Sequence, residues 1–125
     1  MIEKVLESIM KEVPECLGAG VFDYKQEKEL GAITHLPDYN PDAAARAYSF
    51  IVKELESVLI YLPDRFVGKL EGLIVSSKKA NFIIYRIGDS DLILVAAIPP
   101  EGNLGLLDII MRRAVSQLEK GLTQE

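Results

Sequence analysis

One cysteine, one histidine and almost no clustered basic residues narrow this chain before any motif is read. Cys16 alone cannot close an internal disulfide, and it excludes a metal site built from several cysteines. It follows Pro14 in a loop, with no helix N-terminus or adjacent cation to activate it, so an inert thiol in a reducing, cytoplasmic setting is expected. His35 is the only histidine, and a lone strand histidine is more often a surface residue than a ligand or base. Adjacent basic pairs are limited to Lys78-Lys79 and Arg112-Arg113, and the net charge is -5. Such a chain is not drawn to nucleic acid or to an anionic membrane. No apolar run approaches the ~18 residues that suggest a membrane span. The opening Met1-Ile2-Glu3-Lys4 carries acid early with no long apolar segment behind it, so no secretory leader and no membrane insertion are expected.

Catalytic constellations are equally scarce. Gly68 and Gly72 lack a following Lys-Ser/Thr pair, and no GxGxxG opens a helix, so no phosphate cradle is read. Ser76-Ser77 lack an evident base. Asp89 and Asp91 flank a hairpin, where aspartate is a turn former. Tyr24, Tyr39, Tyr48, Tyr61 and Tyr85 are scattered and do not make a stacking platform. The expectation is a non-enzymatic binding domain with no catalytic residue, cofactor, metal or small-molecule substrate.

What the chain does have is a patterned core. Its 125 residues are 49% hydrophobic and 26% charged, which is ordinary globular usage and fits a single domain over 1–125. Asn81 to Ile87 and Leu92 to Ile98 are two apolar, β-branched runs parted by Gly88-Asp89-Ser90, a hairpin signal. The second run has no polar residue, so that strand needs cover on both faces and belongs in the middle of a sheet. Ahead of it, Ile2, Val5, Leu6, Ile9, Met10 and Val13 mark an amphipathic helix ending before Pro14. Leu17 to Asp23 and Glu29 to Leu36 read as two strands, with Gly18 and Gly20 marking close approach of another backbone or helix. Asn40 caps a long helix from Pro41 to about Leu62. Phe66 to Ser77 reads as a third strand with Lys69 and Glu71 on an edge. Asn103 caps a last helix whose buried stripe is Leu104, Leu107, Ile110, Met111, Ala114, Val115 and Leu118, with Gly121 as its stop and a frayed tail over 122–125.

The order αββαβββα predicts an α+β, three-layer α/β/α sandwich around a five-stranded antiparallel sheet of order 2-1-5-4-3. The middle helix is too apolar for an ordinary surface helix. One stripe, Ala44, Tyr48, Ile51, Leu55, Val58, Leu59 and Leu62, is expected on the sheet. A second set, Ala43, Ala47 and Phe50 with Ala45 and Val52, lies outside it. Either these residues only serve helix propensity, or the helix buries a second face in another copy of the chain.

The element order resembles the Roadblock / dynein light-chain family across nearly the whole length. The segments that carry the resemblance are Leu17-Gly18-Ala19-Gly20-Val21-Phe22-Asp23 after a helix, Ala43-Ala44-Ala45 opening the long helix, and Gly88-Asp89-Ser90-Asp91-Leu92-Ile93-Leu94-Val95 followed by Gly102-Asn103-Leu104-Gly105-Leu106. Family members more often have Val-Pro-Gly at the first turn, where this chain has Pro14 and Cys16. The resemblance implies homodimers in which middle helices pack together and third strands join edge to edge. The interface then falls on Ala43, Ala47, Phe50, Val67, Lys69 and Glu71. It also implies a Ras-like small GTPase as partner, as in the MglB-like group of prokaryotic regulators. Arg46, Ser49, Phe50, Lys53, Glu54 and Ser57, read as exposed on the middle helix, are the partner-binding candidates. Arg46 is better read as a solvated or partner-facing charge than as an arginine finger. Two alternatives stay open: a scaffold in the same fold without effect on GTP hydrolysis, and a profilin- or PAS-like ligand-sensing module, which would need an internal pocket.

Overall fold

The computed structural model describes residues 1–123. Its elements are α1 (Ile2–Glu12), β1 (Gly18–Asp23), β2 (Lys28–Thr34), α2 (Pro41–Leu59), a one-turn α3 (Asp64–Val67), β3 (Gly72–Ser76), β4 (Asn81–Arg86), β5 (Leu92–Ile98) and α4 (Leu104–Thr123). All strands pair antiparallel in the order β2-β1-β5-β4-β3, as the pattern predicts. The all-apolar β5 is the central strand, and β2 and β3 are the edges.

The alternation of side chains along each strand sorts the core into two layers. Ala19, Val21, Ile83, Tyr85, Leu94, Ala96 and Ile98 meet α1 and α4 through Leu6, Ile9, Leu107 and Met111. The intervening residues Phe22, Ile84, Ile93 and Val95 meet α2 through Ala45 and Val52, with Tyr48 and Ile51 packed at the side. The Tyr48 ring lies tilted between Phe22 and Phe82, at 5.4 and 6.1 Å. The helix starts are built as their sequences require. Asn40 Oδ1 accepts from the Ala43 amide at 3.1 Å, and Asn103 Oδ1 accepts from the Leu106 amide at 2.9 Å.

Several expected boundaries move. The third strand begins only at Gly72: Asp64–Val67 forms α3 after Pro63, and Gly68 takes a positive φ of 67° that breaks any strand there. Gly72 sits where an added Cβ would drive into the Tyr85 ring, so this strand starts on a residue without a side chain. The middle helix ends at Leu59, with residues 60–62 in a turn before Pro63. Strand β2 ends at Thr34, which leaves His35 exposed beyond it. The last helix runs through Gly121 to Thr123. An added Cβ on Gly121 would strike the Met1 side chain, so that glycine serves close packing and does not stop the helix. Of the tail expected to fray, Leu122 is helical and positions 124–125 lie outside the described residues. The close approach at Gly18 is to the β2 backbone, with Ile33 O 3.1 Å from an added Cβ, and at Gly20 it is to the Phe22 ring at 3.0 Å, not to a helix.

Candidate protein-interaction surface

The surface features that invite a partner converge on α2 and the segment after it. Ala43, Ala47, Phe50, Glu54 and Ser57, with Val58 beside it, recur three or four residues apart and are all exposed, so they form one outward stripe. Phe50 is 63% exposed. Beyond the helix end, Ile60, Tyr61 and Leu62 and then Phe66 on α3 stand in solvent, at 77, 86, 49 and 76% exposure. This many large apolar side chains on one continuous stretch of chain is more than scattered surface hydrophobicity. Next to them in sequence is β3, an edge strand with one side of its backbone unpaired in the sheet and with Ile74 exposed.

Several candidates fall on this surface. Ala43, Ala47 and Phe50 lie on the outward stripe. Arg46, Glu54 and Ser57 are exposed, the Ser57 hydroxyl donating to its own helix at Glu54 O. Two partner-binding candidates and three interface candidates need correction. Ser49 has no exposed surface, because the helix is rotated so that Ala45, Ser49 and Val52 face the sheet; its Oγ has no hydrogen-bond partner. Ala45 and Val52, assigned to the second face, are therefore core. Lys53 is half-buried and tied at 3.1 Å to Glu27 in the β1–β2 turn, so it is not a freely outward charge. Val67, Lys69 and Glu71 are not strand-edge residues: Val67 belongs to α3 and the other two to the connection ahead of β3. Lys69 reaches Asp89 loosely at 3.7 Å, both well exposed.

The apolar group Ile60, Tyr61, Leu62 and Phe66 was not recognised from sequence as a surface. The signal was present, since five consecutive apolar residues from Val58 to Leu62 cannot all lie on one face of a helix. The remaining chemistry-bearing residues stay structural. Cys16 is buried, its thiol donating to Gly18 O and Ala97 O at 3.3 Å, and burial pushes its pKa up, which makes it a poor nucleophile. No helix among the described residues is long and apolar enough to cross a membrane.

A five-stranded antiparallel sheet of order 2-1-5-4-3, with the first and last helices on one face and a long middle helix on the other, is the Roadblock fold. Solved structures superpose on it nearly end to end. MglB of Myxococcus xanthus matches with a TM-score of 0.88 at 13% identity, over 99% of this chain and 96% of that one. A Roadblock domain from Streptomyces avermitilis gives 0.82 at 17% identity, over 96% of each chain. The gliding protein MglB of Thermus thermophilus gives 0.79 at 17%, over 95% of this chain and 86% of its own. At these identities the likeness is one of fold. No family model and no curated protein matches the sequence.

Proposed function

We propose that this chain is a homodimeric, non-enzymatic platform that binds and regulates a Ras-like small GTPase. The observation that carries the reading is the run of exposed apolar side chains from Phe50 and Val58 on α2 through Ile60, Tyr61, Leu62 and Phe66 beyond it, in a chain with the fold of MglB. A helix on a sheet needs one buried face, and α2 already buries Ala45, Ser49 and Val52. Its second apolar face asks for a protein surface, and two copies related by a two-fold axis satisfy each other with the same patch. The unpaired edge of β3 is available to extend the sheet across that axis. Arg46, Glu54 and the freshly exposed Ile60–Phe66 region then supply the surface for the GTPase.

The test begins with mass in solution. Light scattering should give twice the chain mass for the wild type. Phe50→Glu should give the chain mass while keeping its secondary structure, and its melting temperature should no longer depend on protein concentration, since the side chain is exposed in the isolated chain. A wild-type monomer, or a Phe50→Glu dimer, counts against the paired helices. Arg46→Glu should then weaken binding of a candidate GTPase while leaving the dimer intact. Unchanged affinity removes that part of the surface.

A further inference from the structure

The two edges of the sheet are built differently. Strand β2 carries a register shift opposite Val21 and Phe22, and the Tyr39 hydroxyl ties the connection after it back to Glu29 at 2.6 Å. A bulged edge strand resists pairing with another strand. Strand β3 has no such guard: Gly72 to Ser76 run against Tyr85 to Asn81 of β4 in unbroken register.

The hydrogen bonds show which backbone groups of β3 are free. The Arg86 amide donates to Glu71 O, and the Ser77 amide to Ala80 O, each at 2.9 Å. Both bonds continue the β3–β4 ladder one step past its ends. Successive residues of a strand turn their N–H and C=O to opposite sides. The odd-numbered residues of β3 therefore turn theirs to β4, and Gly72, Ile74 and Ser76 turn theirs outward. These three also share one face of the sheet. Ile74 lies opposite Ile83, which packs in the layer of α1 and α4. Helix α4 reaches over β4 and β5, and Ile74 is left 53% exposed.

The geometry points to a second copy of the chain on this edge, joined antiparallel with Ile74 opposite Ile74 on the two-fold axis. This rests on the homodimer proposed above and fixes the register of its sheet. A two-fold axis normal to the sheet keeps each face on its own side, so one residue must sit opposite itself. Centring on Ile74 pairs all three outward residues within β3: Gly72 lies opposite Ser76 of the second copy, and Ser76 opposite its Gly72. Centring on Leu73 leaves Ser76 without a partner in the strand, and centring on Val75 leaves Gly72 without one. The Ile74 register also covers the exposed isoleucine with its own copy. Charge favours the same arrangement. Strand β3 carries none, Glu71 precedes it and Lys78-Lys79 follow it. Antiparallel pairing brings the acid of one copy beside the lysines of the other. Lys69 turns instead to Asp89 of its own chain, at 3.7 Å. A strand neutral in the middle with opposite charges at its two ends complements itself when reversed. The strand seam expected on Val67, Lys69 and Glu71 thus moves along the chain to Gly72, Ile74 and Ser76.

Cross-linking tests the register. Ile74→Cys, oxidised in dilute solution, should give a disulfide-linked dimer, because facing residues of a hydrogen-bonded antiparallel pair lie about 5.5 Å apart at Cα, within disulfide reach. Cys16 does not compete, being buried. Leu73→Cys and Val75→Cys chains should link with one another more readily than either with itself. Faster self-linkage at 73 or 75 than at 74 overturns the register. Ile74→Pro removes an N–H that the ladder to β4 does not use. It should keep the circular-dichroism spectrum of the wild type and give the single-chain mass in light scattering. An Ile74→Pro chain that stays dimeric overturns the seam; if that chain does not fold, the cross-link decides. A monomeric wild type overturns this seam and the platform reading together. A wild-type dimer that Phe50→Glu dissociates, with no linkage at 74, overturns the seam alone and leaves the paired helices standing.

Discussion

On one face of the sheet α1 and α4 bury Leu6, Ile9, Leu107 and Met111 almost completely; on the other, α2 buries Ala45, Ser49 and Val52 and turns Phe50 and Val58 to solvent. Both layers rest on the same five strands, and β5 presents apolar side chains to each. The difference lies in what covers them. Two helices meet over the first face and pack against one another as well as the sheet. A single helix lies over the second, and it ends before the sheet does, leaving a groove at its C-terminal end. The closed face buries the larger core and is expected to contribute more of the isolated chain's stability. The open face keeps surplus apolar surface in solvent and is the face we propose for a partner.

That division can be broken most directly in the closed layer. Leu107→Ala removes a fully buried side chain between α4 and the sheet and should destabilise the chain by about 2–5 kcal/mol in denaturant unfolding. Val52→Ala, equally buried under α2, removes fewer atoms from a thinner layer and should cost about 1–2 kcal/mol. A larger loss at Val52 than at Leu107 would reverse the assignment of the stabilising face.

The closed layer also carries a pH signature. The Tyr85 hydroxyl donates to Asp108, which Arg112 holds from the other side at 3.2 Å. That hydrogen bond holds the Asp108 carboxyl below its ordinary value, against the opposing effect of burial. Burial, and then Asp108, push Tyr85 up to about 12. A depressed carboxylate contributes stability that is complete above its unfolded value near 3.9 and is lost as pH falls through its folded value. A raised tyrosine contributes stability complete below its ordinary value of 10.0 and lost as pH rises through about 12. Tyr85→Phe should therefore flatten both the acid and the alkaline flanks of stability measured by urea midpoint. Flanks as steep as in the wild type would show the pair to be idle. The effect should be smaller than either core truncation, because the Asp108 carboxylate and Arg112 keep contact with solvent, which screens the pair.

The smallest expected change sharpens the open side. Ser49 Oγ is buried without a partner, so Ser49→Ala should leave stability unchanged or raise it by up to about 1 kcal/mol. It should also leave dimer mass and GTPase affinity untouched. A loss of partner binding would mean that Ser49 faces outward after all.

The comparison also separates what was legible in sequence from what was not. Order and sheet topology were readable because period-two and period-3.6 patterns are local and strong. The unbroken apolar run Leu92 to Ile98 has one reasonable place, the centre. Asn40 and Asn103 announced their helices through short-range capping chemistry. The rotation of α2 was harder to read. Ala45, Ser49 and Val52 make a less hydrophobic stripe than Tyr48, Leu55 and Leu59, yet the small residues face the sheet, because the helix must fit over Phe22 and Phe82 with Tyr48 wedged between them. Packing volume decides that choice, and hydropathy does not register it. The chain from Phe66 to Glu71 reads as strand by alternation alone, but Gly68 at positive φ and Gly72 beneath the Tyr85 ring end the possibility. The groove at Arg86 lies furthest from anything the sequence could show. It joins Glu56, Lys69 and Arg86, far apart in the chain, and only the crossing of α2 over the sheet brings them together. The sequence by itself determined the elements, their order and the surplus of apolar residues on the middle helix. The tertiary structure decided which residues face inward and which large apolar ones stay in solvent, because both depend on how large side chains share space across the sheet.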